Sequence, residues 1–155
     1  MFVSSAWHWL DPDLAVPEIG RVLRDGGRLG VIWTGRDRRA DWVAELGRAR
    51  RPQGDGAAED VGSRPRRRGH EVVLPEDAPF ENVATASFTF VRTMTVDDAV
   101  DWMGTYSGII TAPAEEQAAG RARAREVLLR HANEAGLIEI PMRSACWRVD
   151  RVPRP

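Results

Sequence analysis

Apolar and aromatic residues crowd the start of the chain. Phe2-Val3-Ser4-Ser5-Ala6-Trp7-His8-Trp9-Leu10 is a short run of this kind, and it predicts a buried strand. Asp11 then offers an N-cap carboxylate, and Pro12 suits the first helical position, where a missing N–H is no loss. Leu14, Ile19, Val22 and Leu23 recur at roughly helical spacing until Asp25-Gly26-Gly27 stops the helix. Pro17 falls near the sixth helical position, where it removes a donor and crowds the preceding turn, so a kink or a late start is expected there. Arg28-Leu29-Gly30-Val31-Ile32-Trp33 is a second strand run. Strand, helix and strand in this order form a βαβ unit. Ser4–Leu10 and Arg28–Trp33 are therefore expected to pair in parallel, joined by a right-handed crossover.

Thr34-Gly35-Arg36-Asp37 reads as a polar turn, followed by a helix carrying Trp42, Val43 and Leu46. From Arg48 to Pro79 Gly, Pro, Arg and acidic residues dominate, with Val72-Val73-Leu74 the one apolar cluster. Residues 48–79 are too many for an ordinary connection and are expected to form a mobile loop or lid, or a disordered stretch. From Val83 to Val91 a period of two returns: Ala84, Ala86, Phe88 and Phe90 share one face, which predicts a strand buried on that side. Thr95 with Asp98 is a capping-box-like start for a helix whose apolar face is Val96, Ala99, Val100 and Met103, closed by Tyr106-Ser107-Gly108. Pro113 with Glu115 and Glu116 opens a longer helix expected to end at Gly136. Ala145, Trp147 and Val149 alternate within a last strand, Arg143 to Val152, expected to lie antiparallel beside the strand from Val83.

Composition narrows the class. With 155 residues, 43% of them hydrophobic and 29% charged, the chain fits one ordinary globular domain over 1–155. The 22 basic and 23 acidic residues nearly cancel, so no global field draws the chain to nucleic acid or an anionic membrane, and neither partner is expected. Arg64-Pro65-Arg66-Arg67-Arg68 is a phosphate or nucleic-acid patch or, lacking interleaved aromatics, a solvated loop. No apolar run approaches a membrane span, and no basic stretch precedes one at the start, so neither a transmembrane segment nor a signal peptide is expected. The single Cys146 excludes an internal disulfide and suits a reducing cytoplasm. Three scattered histidines give no metal-ligand spacing, and no metal is expected.

Ser5-Ala6-Trp7-His8-Trp9-Leu10-Asp11, then Glu18-Ile19, then Arg21-Val22-Leu23-Arg24-Asp25-Gly26-Gly27-Arg28-Leu29, then Ile32-Trp33 form a series that resembles a known family. It looks like the C-terminal part of a class I S-adenosylmethionine-dependent methyltransferase, nearest the small-molecule, trans-aconitate methyltransferase-like subgroup. Thr105-Tyr106-Ser107, the helix from Pro113 and Ile140-Pro141-Met142-Arg143-Ser144 follow in the order that family shows. The resemblance implies an α/β fold, a partial Rossmann-like three-layer sandwich with its N-terminal strands missing. It also implies S-adenosyl-L-methionine as cofactor of the complete enzyme. In that family a glycine-rich loop after the first strand approaches the cofactor, because no side chain fits between backbone and ligand. Gly54-Asp55-Gly56 is no substitute, having no strand before it.

Ligands of open α/β sheets bind outside the carboxyl ends of the strands. The resemblance makes Ser5, Ala6, Trp7 and His8 cofactor contacts, and Trp9, Trp33 and Tyr106 contacts of a small-molecule acceptor. His8 is the candidate general base where the acceptor must lose a proton, since its unperturbed pKa lies near neutrality. Packing beside Trp7 and Trp9 is the alternative role for His8, and core filling that for Trp33. Tyr106 is a likelier pocket residue than Trp102, because its hydroxyl needs a polar partner. Two readings of function stand. One is methyl transfer to a small molecule by the fold to which this chain contributes. The other is a truncated, non-catalytic remnant or interaction module unable to bind the cofactor alone. With half the sheet absent, the first strand would expose an apolar edge around Phe2 and Val3. That edge is expected to take a second copy, giving a homodimer, or the missing N-terminal half.

Overall fold

A computed structural model describes residues 1–49 and 72–153. Four strands and five helices follow in the order β1 (Phe2–Ser4), α1 (Pro12–Val22), β2 (Arg28–Arg36), α2 (Asp41–Ala49), β3 (Phe80–Thr95), α3 (Val96–Gly104), α4 (Ser107–Ile110), α5 (Ala114–Leu129) and β4 (Leu137–Arg151). The strands form one sheet in the order β1-β2-β4-β3. β1 and β2 pair in parallel, Phe2 opposite Gly30, Val3 opposite Val31 and Ser4 opposite Ile32. β4 runs antiparallel to β2: Arg28 holds Asp150 at 2.7 Å, and farther along Thr34 Oγ1 meets Ser144 Oγ at 2.8 Å. It is antiparallel to β3 as well, since Asn82 reaches Asp150, and Ser87 accepts from Arg143 at 2.6 Å. The βαβ unit and the antiparallel C-terminal strand are as the sequence leads one to expect.

The described residues fall into two compact units, one from 1–35, 72–89 and 143–153, the other from 36–49 and 90–142. In the first, Val3, Trp7, Val16, Ile19, Leu29, Val31 and Val149 make the core. In the second, Leu46 of α2, the Val96, Ala99, Val100 and Met103 face of α3, and Ala124, Val127 and Leu128 of α5 close over Ile138, Ile140 and Met142 of β4. α5 packs against both α2 and α3.

Several boundaries differ from expectation. The opening strand ends at Ser4, not Leu10: Ser5 leaves the sheet at φ +51, and Trp7–Trp9 coils into a single 3₁₀ turn. The aromatic density there belongs to a turn and not to a ladder. α1 starts at Pro12, not late at Pro17, because the Asp11 carboxylate takes the Asp13 N–H at 3.1 Å while Val16 and Ile19 bury the first turns. The helical spacing through Leu14 and Val22 does not mark the core face; these two are 74% and 57% exposed. β2 absorbs Thr34 to Arg36, so the polar turn begins later. α3 closes at Gly104, and Ser107 starts the short α4 in place of a helix end.

α5 stops at Leu129. The Asn133 side chain takes the N–H groups of Ala135 and Leu137, both at 3.0 Å, and Gly136 at φ +72 finishes a separate turn. β3 is longer than Val83–Val91, and its Ala/Phe face is not buried. Phe88 is 60% and Phe90 45% exposed, because β3 ends the sheet and alternation alone supplies no covering layer. β1 ends the other side, with Val3 buried and the Phe2 ring 78% exposed. Of the expected loop 48–79, residues 48–49 end α2. Residues 50–71 lie outside the described residues, and with them the Gly54-Asp55-Gly56 motif, the arginine run 64–68 and His70.

Candidate functional site

In the first unit, the parallel pair delivers two chain segments to its carboxyl end. Ser5 sits there at φ +51, a conformation that costs an L-residue roughly 1–2 kcal/mol, and its N–H donates to the Ile32 carbonyl at 2.9 Å. Strain of this kind persists only where the surroundings enforce it, and it gathers at ligand-binding segments. The 3₁₀ turn that follows is closed by Trp9 N–H to Ala6 C=O at 3.0 Å and Leu10 N–H to Trp7 C=O at 3.1 Å. The turn sorts its side chains. Trp7 goes into the core, while His8 and Trp9 stay exposed, Trp9 at 77%. The His8 ring lies 4.6 Å from that of Trp9, tilted by 41°, and 4.9 Å edge-on from that of Trp33 on β2. Ser5, Ala6, His8, Trp9 and Trp33 thus share one strand-end surface. Trp7 leaves only its main chain to a ligand, and His8 rests on Trp9 and Trp33, not on Trp7.

The second unit holds Tyr106. Its ring centroid is 6.1 Å from that of Trp102 in α3. Above Tyr106, at 4.9 Å, lies the guanidinium of Arg36, the last residue of β2, which also sits 5.7 Å from the Trp102 ring. Arg92 of β3 stacks on Trp102 at 4.8 Å. Arg36 Nη1 is buried without a hydrogen-bond partner among the described residues. Burial lowers the Arg36 pKa below the usual arginine range, Tyr106 opposes that, and Arg38 adds to it. Sequence reasoning passed over Arg36 and Arg92. In a chain whose only basic side chains besides histidine are arginines, nothing local marks one arginine from another.

His131 stacks on Trp42 at 4.8 Å while remaining exposed. Among the described residues no three His, Cys, Asp or Glu side chains converge as a metal site, and no helix is long and apolar enough to cross a membrane. For the cofactor that the resemblance implies, Ser5 to His8 fit one flank, an open main chain at a strand end. Among the described residues the positive-φ glycines are Gly26 and Gly136, both in turns after helices. Neither makes the strand-to-helix loop a cofactor backbone contact needs.

No family model matches the chain. Over 151 residues it is 36% identical to an uncharacterised methyltransferase of Mycobacterium tuberculosis, a match covering 96% of this chain and 56% of that protein. An uncharacterised methyltransferase-like protein of Schizosaccharomyces pombe is 29% identical over 128 residues, 80% of this chain and 46% of the relative. Among solved structures, a presumptive type II methyltransferase of Anaeromyxobacter dehalogenans superposes with TM-score 0.53 at 17% identity. That superposition takes in 99% of this chain and 64% of the other, and shows a shared fold. The chain spans about half the length of the curated relatives it matches. By these matches and by its sheet, it belongs to the methyltransferase family, as a stretch of the family fold.

Proposed function

We propose that the chain takes part in S-adenosylmethionine-dependent methyl transfer to a small-molecule acceptor, as the C-terminal part of the enzyme fold. The observation that carries this is the strand end itself: a positive-φ Ser5 and a 3₁₀ turn that lays His8 against Trp33 beyond a parallel strand pair. The chemistry such a cofactor supplies when bound is in-line transfer of a methyl group from a sulfonium, for which a protein mainly provides proximity and alignment. The main chain from Ser5 to His8 would hold the cofactor on the side of its methionine end. Trp9 and Trp33 bound the acceptor in the first unit, where their rings fix the His8 imidazole, and Tyr106 of the second unit is an acceptor contact on the family resemblance. Where the acceptor loses a proton, a ring nitrogen of His8 takes it; a carboxylate acceptor needs no base.

The lack of a glycine loop among the described residues supports a further part of the proposal. By itself the chain is a non-catalytic module that binds the cofactor weakly or not at all. The exposed β1 edge at Phe2 takes an N-terminal half or a second copy, and the near-balanced charge and lone cysteine fit a cytoplasmic protein without nucleic-acid or membrane partners. Mixing the chain with the N-terminal half of the mycobacterial relative, and following labelled methyl groups into a small-molecule extract, tests this reading. Transfer is expected only with both halves present. His8→Ala should lower it by on the order of 100-fold while changing S-adenosylhomocysteine affinity far less. Label entering protein or nucleic acid instead, or no transfer by the joined halves, would contradict the proposal. Equal losses of transfer and affinity would reduce His8 to a pocket wall.

A further inference from the structure

Arginines on the described surface are commonly answered by carboxylates: Arg28 by Asp150, Arg39 by Asp37, Arg121 by Asp101. Arg36 is not. It meets two aromatic rings, and its Nη1 is buried with no acceptor among the described residues. A guanidinium that stacks through its face keeps its in-plane N–H donors for another partner, and a buried cationic donor left unmatched is costly. The carboxylate next along the chain, Asp37, is held by Arg39, and the other charges near Arg36 are positive. Arg92 lies on the same indole, and Arg38 raises the positive field felt by Arg36. Such an arrangement is complementary to an anion that brings its own oxygens.

We propose that the Arg36 guanidinium, walled by Trp102 and Tyr106, is a binding subsite for the oxyanion of a small ligand, a carboxylate or a phosphate monoester. A planar, forked donor held by ring stacking favours two-point contact with such a group. That the ligand is the methyl acceptor rests on the function proposed above, with Tyr106 as the shared residue; anion binding itself does not.

Calorimetric titration of the full chain with succinate, with its neutral diamide succinamide, and with inorganic phosphate tests the subsite. Succinate or phosphate should bind at one site and succinamide should not. Binding of succinate alone assigns a carboxylate ligand, binding of phosphate alone a phosphate monoester, and binding of both the shared oxyanion chemistry. Arg36→Gln should weaken the anion by about 10- to 100-fold. Arg36→Lys, which keeps the charge and loses the fork, should weaken it by a smaller factor, and serves if Arg36→Gln does not fold. Absence of binding by either anion, equal binding of succinamide, or unchanged affinity in the Arg36 variants would overturn the proposal. Cofactor plays no part in the titration. A failed subsite would therefore leave methyl transfer by the joined halves standing, and the reverse holds equally.

Discussion

At Ser5 the backbone takes a conformation in which a branched side chain crowds the following carbonyl, and the Ile32 hydrogen bond helps hold it there. Ser5 itself is exposed, so packing does not confuse the comparison of substitutions. Ser5→Val should be less stable than Ser5→Gly by about 1–2 kcal/mol in urea unfolding. Equal stability would mean that the positive φ is not maintained in solution. The sequence carried no sign of this strain, because serine is not a left-handed marker and the conformation is imposed by the neighbouring strand. Caps were legible for the opposite reason. Asp11 with Asp13, and Thr95 with Asp98, interact over two or three residues, so their spacing is the interaction. Tyr106 was singled out in the sequence for its hydroxyl, whereas the structure shows its ring in contact with Arg36 and Trp102. The Arg36 that lies over it comes from a distant strand, and no local pattern joins the two.

Among the elements, the apolar face of α3 was read closely, and the face of α1 and the strand lengths were not. The α3 face Val96, Ala99, Val100 and Met103 is buried as its spacing implies. β3 and β4 outrun their apolar cores, because ladder pairing continues wherever a neighbouring strand offers partners. α5 shows the reverse. Its start at Pro113, Glu115 and Glu116 announces it where its polar pattern does not, yet Leu128 is fully buried between helices and sheet. Leu128→Ala should cost about 2–5 kcal/mol, whereas Leu129→Ala, on a side chain 57% exposed, should cost far less. Similar losses at the two positions would contradict this packing.

The junction of β2, β3 and β4 has an electrostatic counterpart at Asp150. Its carboxyl is held below the usual range first by the hydrogen bond from Arg28, with burial opposing and Arg148 and Asn82 assisting. A folded-state pKa below the unfolded value means that ionised Asp150 stabilises the fold above the unfolded pKa of about 3.9, and that this contribution fades as pH falls through the folded value. The stability gap between wild type and Asp150→Asn should therefore be present at neutral pH and shrink in acid. A gap that widened on acidification would reverse the assigned direction.

For the molecule as a whole, the parallel opening pair was legible because a short crossover joins its two runs, and the antiparallel C-terminal strand because its own run of residues alternates. What is built from distant parts was not: the exposed faces of β3 and the arginine–aromatic cluster depend on what does or does not pack nearby. The central proposal is that this chain supplies one flank of a cofactor site, with no backbone cradle for the other flank among the described residues. Losing several hydrogen bonds of about 1 kcal/mol each, more where charge is involved, lowers affinity by orders of magnitude. Calorimetric titration of residues 1–155 with S-adenosylhomocysteine, alone and then with the N-terminal half of the mycobacterial relative, tests this most directly. The account predicts no measurable binding by the chain alone and saturable binding once the second half is added. Tight binding by the chain alone would contradict it, showing that these 155 residues complete a cofactor site by themselves.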